Sequence, residues 1–253
     1  MFEKELELAV RAAKTGGAFL RRRENIHVNS SEGKDLKLSS DRESEAAILS
    51  LLRSESAYPV LTEERGAVGK PNESGLRWIV DPLDGTVNYY RGLLDLCCVS
   101  VALWRDDVPL LGVVYRFEAD ELFTGVCGEG AYCNGLPIRV SDAARLEDSI
   151  IAAGFPSYRD YGTESLLAFV RKVQRFKKVR MLGAAAIMGT YVAAGRIDAY
   201  CEEHIMLWDI AAASALVKAA GGEVSIQLLE DGACDCRLFA SRELMEGFDA
   251  EGI

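Results

Sequence analysis

Two aspartates three residues apart carry the clearest chemistry in this sequence. An apolar run over residues 76–80 leads into Asp81, and Asp84 follows after Pro82 and Leu83. One loop can therefore place both carboxylates around the same metal ion or pair of ions, and the backbone carbonyl of Leu83 can join them. Such hard oxygen ligands suit Mg²⁺, which takes a few carboxylates together with water and substrate phosphate.

The two residues that follow favour an anion beside that metal site. Gly85 lets the backbone approach an anion closely, and Thr86 adds a hydroxyl group. If a short helix begins here, the free backbone amides of both residues face a phosphate group. Asp-Pro and Asp-Gly are also common turn dipeptides, so an ordinary turn is the alternative interpretation of this segment.

Three other acidic positions lie where an apolar element meets a loop, which is where folds present catalytic groups. They are Asp41 at a predicted helix start, Glu63 with Glu64 after a short apolar run, and Asp209 at the start of an apolar helix. Taken singly, Asp41 and Asp209 are equally well explained as helix N-caps. Taken together, so many carboxylates would repel one another and raise their pKa values, and bound cations remove that penalty.

Composition narrows the possible partners and compartment. The chain has 253 residues and a formal charge of −10, which argues against a broad nucleic-acid interface. Its seven cysteines, mostly in apolar runs, predict free buried thiols in a reducing cytoplasm, and its two histidines exclude a His-rich metal site. No apolar stretch reaches membrane-spanning length, and the start reads as an amphipathic helix and not as a signal peptide. We therefore expect a cytoplasmic protein with no membrane or nucleic-acid partner.

Apolar periodicity predicts helices around a strand-rich middle. The predicted helices cover about residues 2–23, 40–54, 181–194 and 208–220. The predicted strands cover residues 58–61, 76–80, 96–103, 110–115, 121–126, 197–201 and 224–228. The polar segment over residues 25–39 is predicted to be a loop. This order favours stacked α and β layers.

Further segments complete a pattern that covers nearly the whole chain. The segments are Glu63-Glu64, Trp78 to Asn88, Gly130 to Gly135, Val140-Ser141, Ala194 to Tyr200, Trp208 to Ala212 and Ala220 to Gly222. In order and spacing they resemble the inositol monophosphatase family. That family belongs to the lithium-sensitive, magnesium-dependent phosphatases, which include fructose-1,6-bisphosphatases.

The resemblance implies a metal centre of two to three Mg²⁺ ions. Glu63 and Asp81 would bind the first ion together with the carbonyl of Leu83. Asp81, Asp84 and Asp209 would hold a second ion. The implied reaction is hydrolysis of a small phosphate monoester by metal-activated water, with inositol-1-phosphate or a related sugar or cyclitol phosphate as the expected substrate.

The resemblance also implies catalytic and substrate-binding residues. Asp41 and Thr86 would orient or deprotonate the attacking water, and Glu63 is counted with them as catalytic. The amides of Gly85 and Thr86 would hold the phosphate, and Glu202 would contact substrate hydroxyls.

The implied fold is an α/β protein built as a layered αβαβα sandwich. One phosphatase domain would span residues 1–253. Its α+β part, about residues 1–140, would carry most metal ligands, and its α/β part, about residues 141–253, would carry Asp209. The family resemblance further implies a homodimer.

This sequence departs from the family on the substrate side. Ala184, assigned to the substrate pocket, stands where the family usually has Ser or Thr, and Met188 stands where it often has an acid. Alternative substrates are therefore fructose-1,6-bisphosphate, histidinol phosphate or a 3′-phosphoadenosine nucleotide. Arg159, Lys172 or Arg180 would then hold a second phosphate, or would simply be solvated surface charges. A distant alternative is a non-catalytic homologue that binds metal or phosphate.

Overall fold

The structure, a computed structural model, describes residues 2–24, 26–32, 35–157 and 159–250. Its helices are α1 (Glu3–Arg22), α2 (Ser39–Glu55), α3 (Thr86–Arg91), α4 (Thr163–Val173), α5 (Ala185–Ala193), α6 (Leu207–Ala219) and α7 (Arg242–Asp249). Among the described residues, no helix combines the length and the apolar character needed to cross a lipid bilayer.

The strands lie mainly in the middle and the last third of the chain. They are β1 (Val28–Glu32), β2 (Asp35–Leu38), β3 (Val60–Thr62), β4 (Gly66–Val68), β5 (Leu76–Asp84), β6 (Cys98–Arg105), β7 (Val108–Arg116), β8 (Glu121–Val126), β9 (Gly130–Cys133), β10 (Leu136–Ile138), β11 (Ile150–Ala153), β12 (Lys178–Arg180), β13 (Ala199–Met206), β14 (Glu223–Leu228) and β15 (Ala233–Phe239).

Two large sheets form the frame of the molecule. The first has eight strands in the order β10-β9-β8-β7-β6-β5-β3-β4, and its neighbours are antiparallel except for the β3–β5 pair. The second has five strands in the order β12-β11-β13-β15-β14, and β11 runs parallel to both of its neighbours. Strands β1 and β2 form a separate antiparallel hairpin.

Helices and sheets alternate in layers. Helices α1 and α2 pack on one face of the eight-stranded sheet, and α5 and α6 fill the space between the two sheets. Helix α7 and the end of α4 pack against the far face of the five-stranded sheet. This is the predicted αβαβα order, so the expected fold class is confirmed.

The middle helix layer, α5 and α6, packs closely through small side chains. Helix α6 is buried along nearly its whole length, as expected for a helix that is apolar all round. Gly189 of α5 lies so close to α6 that a Cβ atom there would come 2.7 Å from the Cβ atom of Ala213. The starts of both helices are therefore held firmly between the sheets.

Two predictions about local structure are wrong. The segment 25–39, predicted to be a loop, forms the β1–β2 hairpin and ends at Ser39, the first residue of α2; residues 25, 33 and 34 lie outside the described ones. Its side chains are mostly polar and show no alternation of apolar and polar residues that would predict a strand. An exposed hairpin can form without that alternation, because its strands pair through the backbone. The helix predicted from residue 181 begins at Ala185, because Gly183 is left-handed with φ +71° and Ala184 is extended.

Candidate active site

A pocket of about 370 Å³ opens where the two sheets and the middle helices meet. It is lined by the ends of β3, β5 and β13, by the starts of α3, α5 and α6, and by the loop 154–157. The candidate residues it brings together are Glu63, Asp81, Leu83, Asp84, Gly85, Thr86, Ala184, Glu202 and Asp209. Residues nearly 150 positions apart in sequence thus share one wall.

The parallel pairing of β3 with β5 explains why Glu63 lies near Asp81. Thr62, the last residue of β3, is in register with Val80 of β5. The next residue of each chain segment is an acid, Glu63 and Asp81 respectively. The carboxyl ends of parallel neighbours meet at one sheet edge, which is where open α/β sheets place their ligands.

A β-bulge separates the two aspartates of β5. Asp81 pairs with Ser100 and Asp84 with Cys98, so β5 carries one residue more than β6 over this stretch. Bulges bend a strand and re-aim its side chains, and they are frequent beside active sites. The bulge lets both Asp81 and Asp84 reach the same pocket although they are an odd number of residues apart.

Hydrogen bonds fix the backbone of this bulge. The N–H of Leu83 donates to Asp81 Oδ1 at 2.9 Å, and the hydroxyl of Thr86 donates to the carbonyl of Leu83 at 3.1 Å. From α2, the hydroxyl of Ser44 donates to the carbonyl of Pro82 at 2.9 Å. The segment is therefore a positioned element and not a loose turn.

Asp84 is oriented by the start of α5. The N–H groups of Ala185 and Ala186 donate to its two carboxylate oxygens at 3.1 and 2.8 Å. These amides have no partner within the helix, so the carboxylate satisfies them and complements the helix dipole. Burial raises the pKa of Asp84 to about 6, although these amides oppose the shift.

Asp81 and Asp209 are buried acids whose pKa values respond to the charges of their neighbours. Burial raises the pKa of Asp81 well above its ordinary value, and the charges of Glu63, Asp84 and Asp209 raise it further. Burial likewise raises the pKa of Asp209, and the charges of Glu63, Asp84 and Glu202 raise it further. Buried carboxyl groups that oppose one another's ionisation are typical of sites that bind a cation or carry out acid–base chemistry.

The residues fit a divalent cation by donor chemistry and by their shared pocket. Carboxylates and a carbonyl are the oxygen donors that Mg²⁺ takes in proteins. In the part of the chain that the structure describes, no three His, Cys, Asp or Glu side chains are yet grouped closely enough to hold an ion as they stand. Bare carboxylates repel one another, and a bound cation would offset that repulsion.

Asp41 is not among the residues that line the pocket. It is buried, and it is the third residue of α2, where its Oδ2 accepts a hydrogen bond from the N–H of Leu38 at 2.7 Å. The predicted position of Asp41 as the N-cap residue is therefore wrong, since the helix begins at Ser39 and the N-cap is Leu38. Its carboxylate nevertheless satisfies a backbone N–H at the helix start.

Glu202 reaches the pocket from the opposite sheet. Burial raises its pKa to about 8, and the charge of Asp84 adds to the shift while Arg159 opposes it. Gly154 makes room for the carboxyl group, because a Cβ atom there would lie 2.1 Å from Glu202 Oε1. A glutamic acid with this pKa is mostly protonated at neutral pH and can donate a hydrogen bond.

The three cations considered for a second phosphate do not line the pocket: Arg159, Lys172 and Arg180. The expectation of a surface charge is wrong for Arg159, whose side chain is 4% exposed and packs over the ring of Phe169 at 4.8 Å. Both Arg159 and Lys172 form ion pairs with Glu203. Glu203 does not line the pocket, so both of these ion pairs lie outside its wall.

Sequence reasoning missed several residues of the pocket wall. Lys37 lines it and forms an ion pair with Glu64 Oε1 at 3.4 Å. His204 lines it from β13, and Trp208 both packs on the core and lines the pocket. The residue types were visible in the sequence, but nothing there showed that the hairpin and the bulged β13 would turn toward the acids.

Comparison with known proteins shows which family this sequence resembles. A sequence profile of the inositol monophosphatase family matches residues 2–227. The inositol-1-monophosphatase of Mesorhizobium japonicum is 39% identical over 226 residues, which cover 87% of this chain and 84% of that protein. The Nus factor SuhB of Pasteurella multocida is 36% identical over 227 residues, with coverage of 87% and 84%.

A solved structure supports the same assignment. The extragenic suppressor protein suhB of Bartonella henselae has a TM-score of 0.87 and 32% sequence identity to this chain. The match covers 99% of this chain and 100% of that one. The protein described here therefore belongs to the inositol monophosphatase family.

Proposed function

We propose that this protein is a Mg²⁺-dependent phosphatase that hydrolyses a small phosphate monoester of a sugar or cyclitol, with inositol-1-phosphate as the favoured substrate. The observation that carries the proposal is the convergence of Glu63, Asp81, Asp84 and Asp209 on one pocket. The family is generally metal-dependent. Acids whose pKa values are raised by one another's charge are the groups that gain most from a cation.

In this proposal the metal ligands come from three elements. Glu63 follows β3, Asp81, Leu83 and Asp84 end β5, and Asp209 lies in the first turn of α6. When bound, two to three Mg²⁺ ions supply positive charge that offsets the acids and the substrate phosphate. The amides of Gly85 and Thr86 hold the phosphate oxygens, and the Thr86 hydroxyl and Glu63 position the attacking water. Asp41 does not line the pocket, and a part for it in positioning that water is proposed from the family resemblance alone.

The other end of the pocket receives the alcohol. Glu202, with a pKa of about 8, presents a protonated carboxyl group to a substrate hydroxyl at neutral pH. Ala184 is buried and lines the same pocket, where it offers only a methyl group. Recognition of the alcohol therefore depends on the wall built by β13 more than on α5.

Phosphate release from a panel of esters, with and without Mg²⁺, tests the proposal. The panel holds myo-inositol-1-phosphate, fructose-1,6-bisphosphate, histidinol phosphate and a 3′-phosphoadenosine nucleotide. We expect release that requires Mg²⁺ and favours myo-inositol-1-phosphate, because the cations considered for a second phosphate do not line the pocket. A clear preference for a bisphosphate would overturn the substrate assignment, and equal release in EDTA would overturn the metal dependence.

The similarity to a Nus factor supports a second candidate, a protein–protein role in transcription. With a net charge of −10, such a role would rest on protein contacts and not on direct nucleic-acid binding. Absence of phosphate release from the whole panel, together with intact Mg²⁺ binding, would favour this candidate or another non-catalytic role over the enzyme.

Assembly and location complete the proposal. We place the protein in the cytoplasm, which fits its seven free cysteines, all within the described residues. We also propose a homodimer, which the family resemblance implies. Sedimentation or light scattering at several protein concentrations measures the oligomeric state directly.

A further inference from the structure

Strand β13 carries an extra residue where it faces the pocket. Glu202 pairs with Cys236 and Ile205 with Cys234, so three steps along β13 match two steps along β15. Bulges of this kind re-aim side chains. Glu202, His204 and Ile205 all line the pocket, whereas Glu203 between them is bound by Lys172 at 2.7 Å.

His204 occupies this bulge in an unfavourable backbone conformation. Its φ is +59°, in the left-handed region that residues with a Cβ atom rarely adopt. Of the described non-glycine residues with positive φ, it is the one that lines the pocket. Strained residues persist where the surroundings over-determine them, and they cluster at functional sites.

Two aspartates hold His204 in place. Its backbone N–H donates to Asp235 Oδ1 at 2.9 Å, and its Nε2 lies 2.6 Å from Asp231 Oδ2. Asp231 is itself fixed in the β14–β15 turn, since its Oδ1 accepts from the N–H of Ala233 at 3.1 Å. A carboxylate bonded to Nε2 places a proton on that nitrogen and leaves Nδ1 for another partner.

We propose that His204, oriented by Asp231, is a specificity-determining residue that hydrogen-bonds a hydroxyl group on the alcohol part of the substrate. The inference rests on the proposed phosphatase function. His204 and Glu202 lie two residues apart on β13, and together they give the pocket a polar wall. A polyhydroxylated alcohol satisfies both groups, whereas an aromatic alcohol without further hydroxyls satisfies neither.

The test compares two esters in the presence of Mg²⁺: myo-inositol-1-phosphate and p-nitrophenyl phosphate. For His204→Gly we expect kcat/KM to fall about tenfold on the first ester, the loss of one good hydrogen bond. We expect a change of less than about twofold on the second ester, because it offers no hydroxyl to recognise. Glycine adopts positive φ freely, so this variant keeps the backbone of the bulge.

Two further variants distinguish a substrate contact of His204 from an effect on the backbone of the bulge. His204→Asn tolerates positive φ and keeps a polar group, so it should restore part of the selectivity. Asp106→Gly is the matched control, because Asp106 also has a positive φ, +52°, but lies in the β6–β7 turn and not in the pocket. It should leave kcat/KM on both esters unchanged. The melting temperature of every variant shows whether it is folded.

The kinetics on the two esters distinguish the role of His204 from the proposed function. Equal losses on both esters, or no loss on either with an active wild type, would overturn the role of His204 alone. A wild-type protein that hydrolyses neither ester would overturn the proposed function and this inference with it. Selective loss on the inositol ester, partly restored by asparagine, supports the assignment.

Discussion

The candidate metal ligands differ in what holds each carboxylate in place. Asp84 receives two backbone N–H groups from α5, whereas the N–H of Leu83 donates to Asp81. Hydrogen bonds to a carboxylate stabilise its charged form. The amides of α5 oppose the rise in the pKa of Asp84, which reaches about 6, whereas the pKa of Asp81 is raised by burial and by the charges of Glu63, Asp84 and Asp209. Asp84 is thus oriented by helix α5, and Asp81 is an acid whose charge a bound cation would stabilise.

Asp81→Asn should leave a folded protein with at least about a hundredfold lower kcat, the usual cost of losing one key electrostatic group. The amide cannot carry charge, but it fits the same space and removes a repelling carboxylate. Phosphate release at saturating Mg²⁺ and a thermal melt measure the two effects. Asp107→Asn is the control, since Asp107 is exposed and pairs only with Arg77 at the surface. Wild-type turnover by the Asp81 variant would contradict the ligand assignment.

Gly154→Ala should raise KM for myo-inositol-1-phosphate by about tenfold, since Glu202 would be displaced and one substrate hydrogen bond lost. The reason is steric, because the new methyl group would meet Glu202 Oε1 at 2.1 Å. Steady-state kinetics give KM and kcat separately. Gly247→Ala in α7 is the matched control, because a Cβ atom there meets nothing within 4 Å. Unchanged kinetics in the Gly154 variant would show that Glu202 does not bind substrate.

At the element scale, bulges in two different sheets shape the pocket. One in β5 aims Asp81 and Asp84 inward, and one in β13 does the same for Glu202 and His204. Helix α5 contributes through its start, whose first amides donate to Asp84 of β5. Helix α2 differs, because its own Asp41 caps it. That cap raises the question of whether Asp41 acts on water or on the helix.

Two substitutions at Asp41 answer that question. Asp41→Ala removes the acceptor for Leu38 N–H and should lower the free energy of unfolding by about 1–2 kcal/mol. Asp41→Asn keeps an oxygen acceptor and should keep most of that stability. If Asp41 also positions water, the asparagine variant should lose activity at near-normal stability. Urea unfolding and phosphate release give both readouts, and full activity in Asp41→Asn would leave the residue with a capping role alone.

At the scale of the whole molecule, burial of several acids links stability to pH and to metal. A carboxyl group with a raised pKa holds its proton more tightly in the folded protein than in the unfolded chain. Between its ordinary and its folded pKa, the free energy of unfolding therefore falls as pH rises. For Asp84 this window runs from 3.8 to about 6. The pKa values of Asp81 and Asp209 are raised as well, so these two groups contribute a loss of the same sign.

Mg²⁺ should therefore raise the melting temperature more at pH 8 than at pH 5.5, because ligands must be deprotonated to bind it. At about 100 times its Kd, the ion should add about 2.7 kcal/mol to the free energy of unfolding at the higher pH. Calorimetry with and without Mg²⁺ at both pH values measures this. Asp209→Asn should show a smaller effect. Equal stabilisation at both pH values would contradict a carboxylate metal site.

The types of the acidic residues and their order along the chain can be read from the sequence, and its resemblance to a known family implies the layered fold. The acids are a local feature, since an apolar run followed by Asp81-Pro82-Leu83-Asp84 shows where a strand ends in carboxylates. Strand-rich and helix-rich stretches likewise follow from periodicity within a short window.

Only the tertiary structure decided which residues meet. The parallel β3–β5 pairing brought Glu63 to Asp81, the bulge of β13 turned His204 into the pocket, and helix α5 set the orientation of Asp84. It also buried Arg159 and used Asp41 as a helix cap. Register, bulges and burial depend on partners far along the chain, so no local pattern contains them. For this reason residue types alone predict a metal site of oxygen ligands, whereas they do not show which residues form the wall that we propose to contact the alcohol.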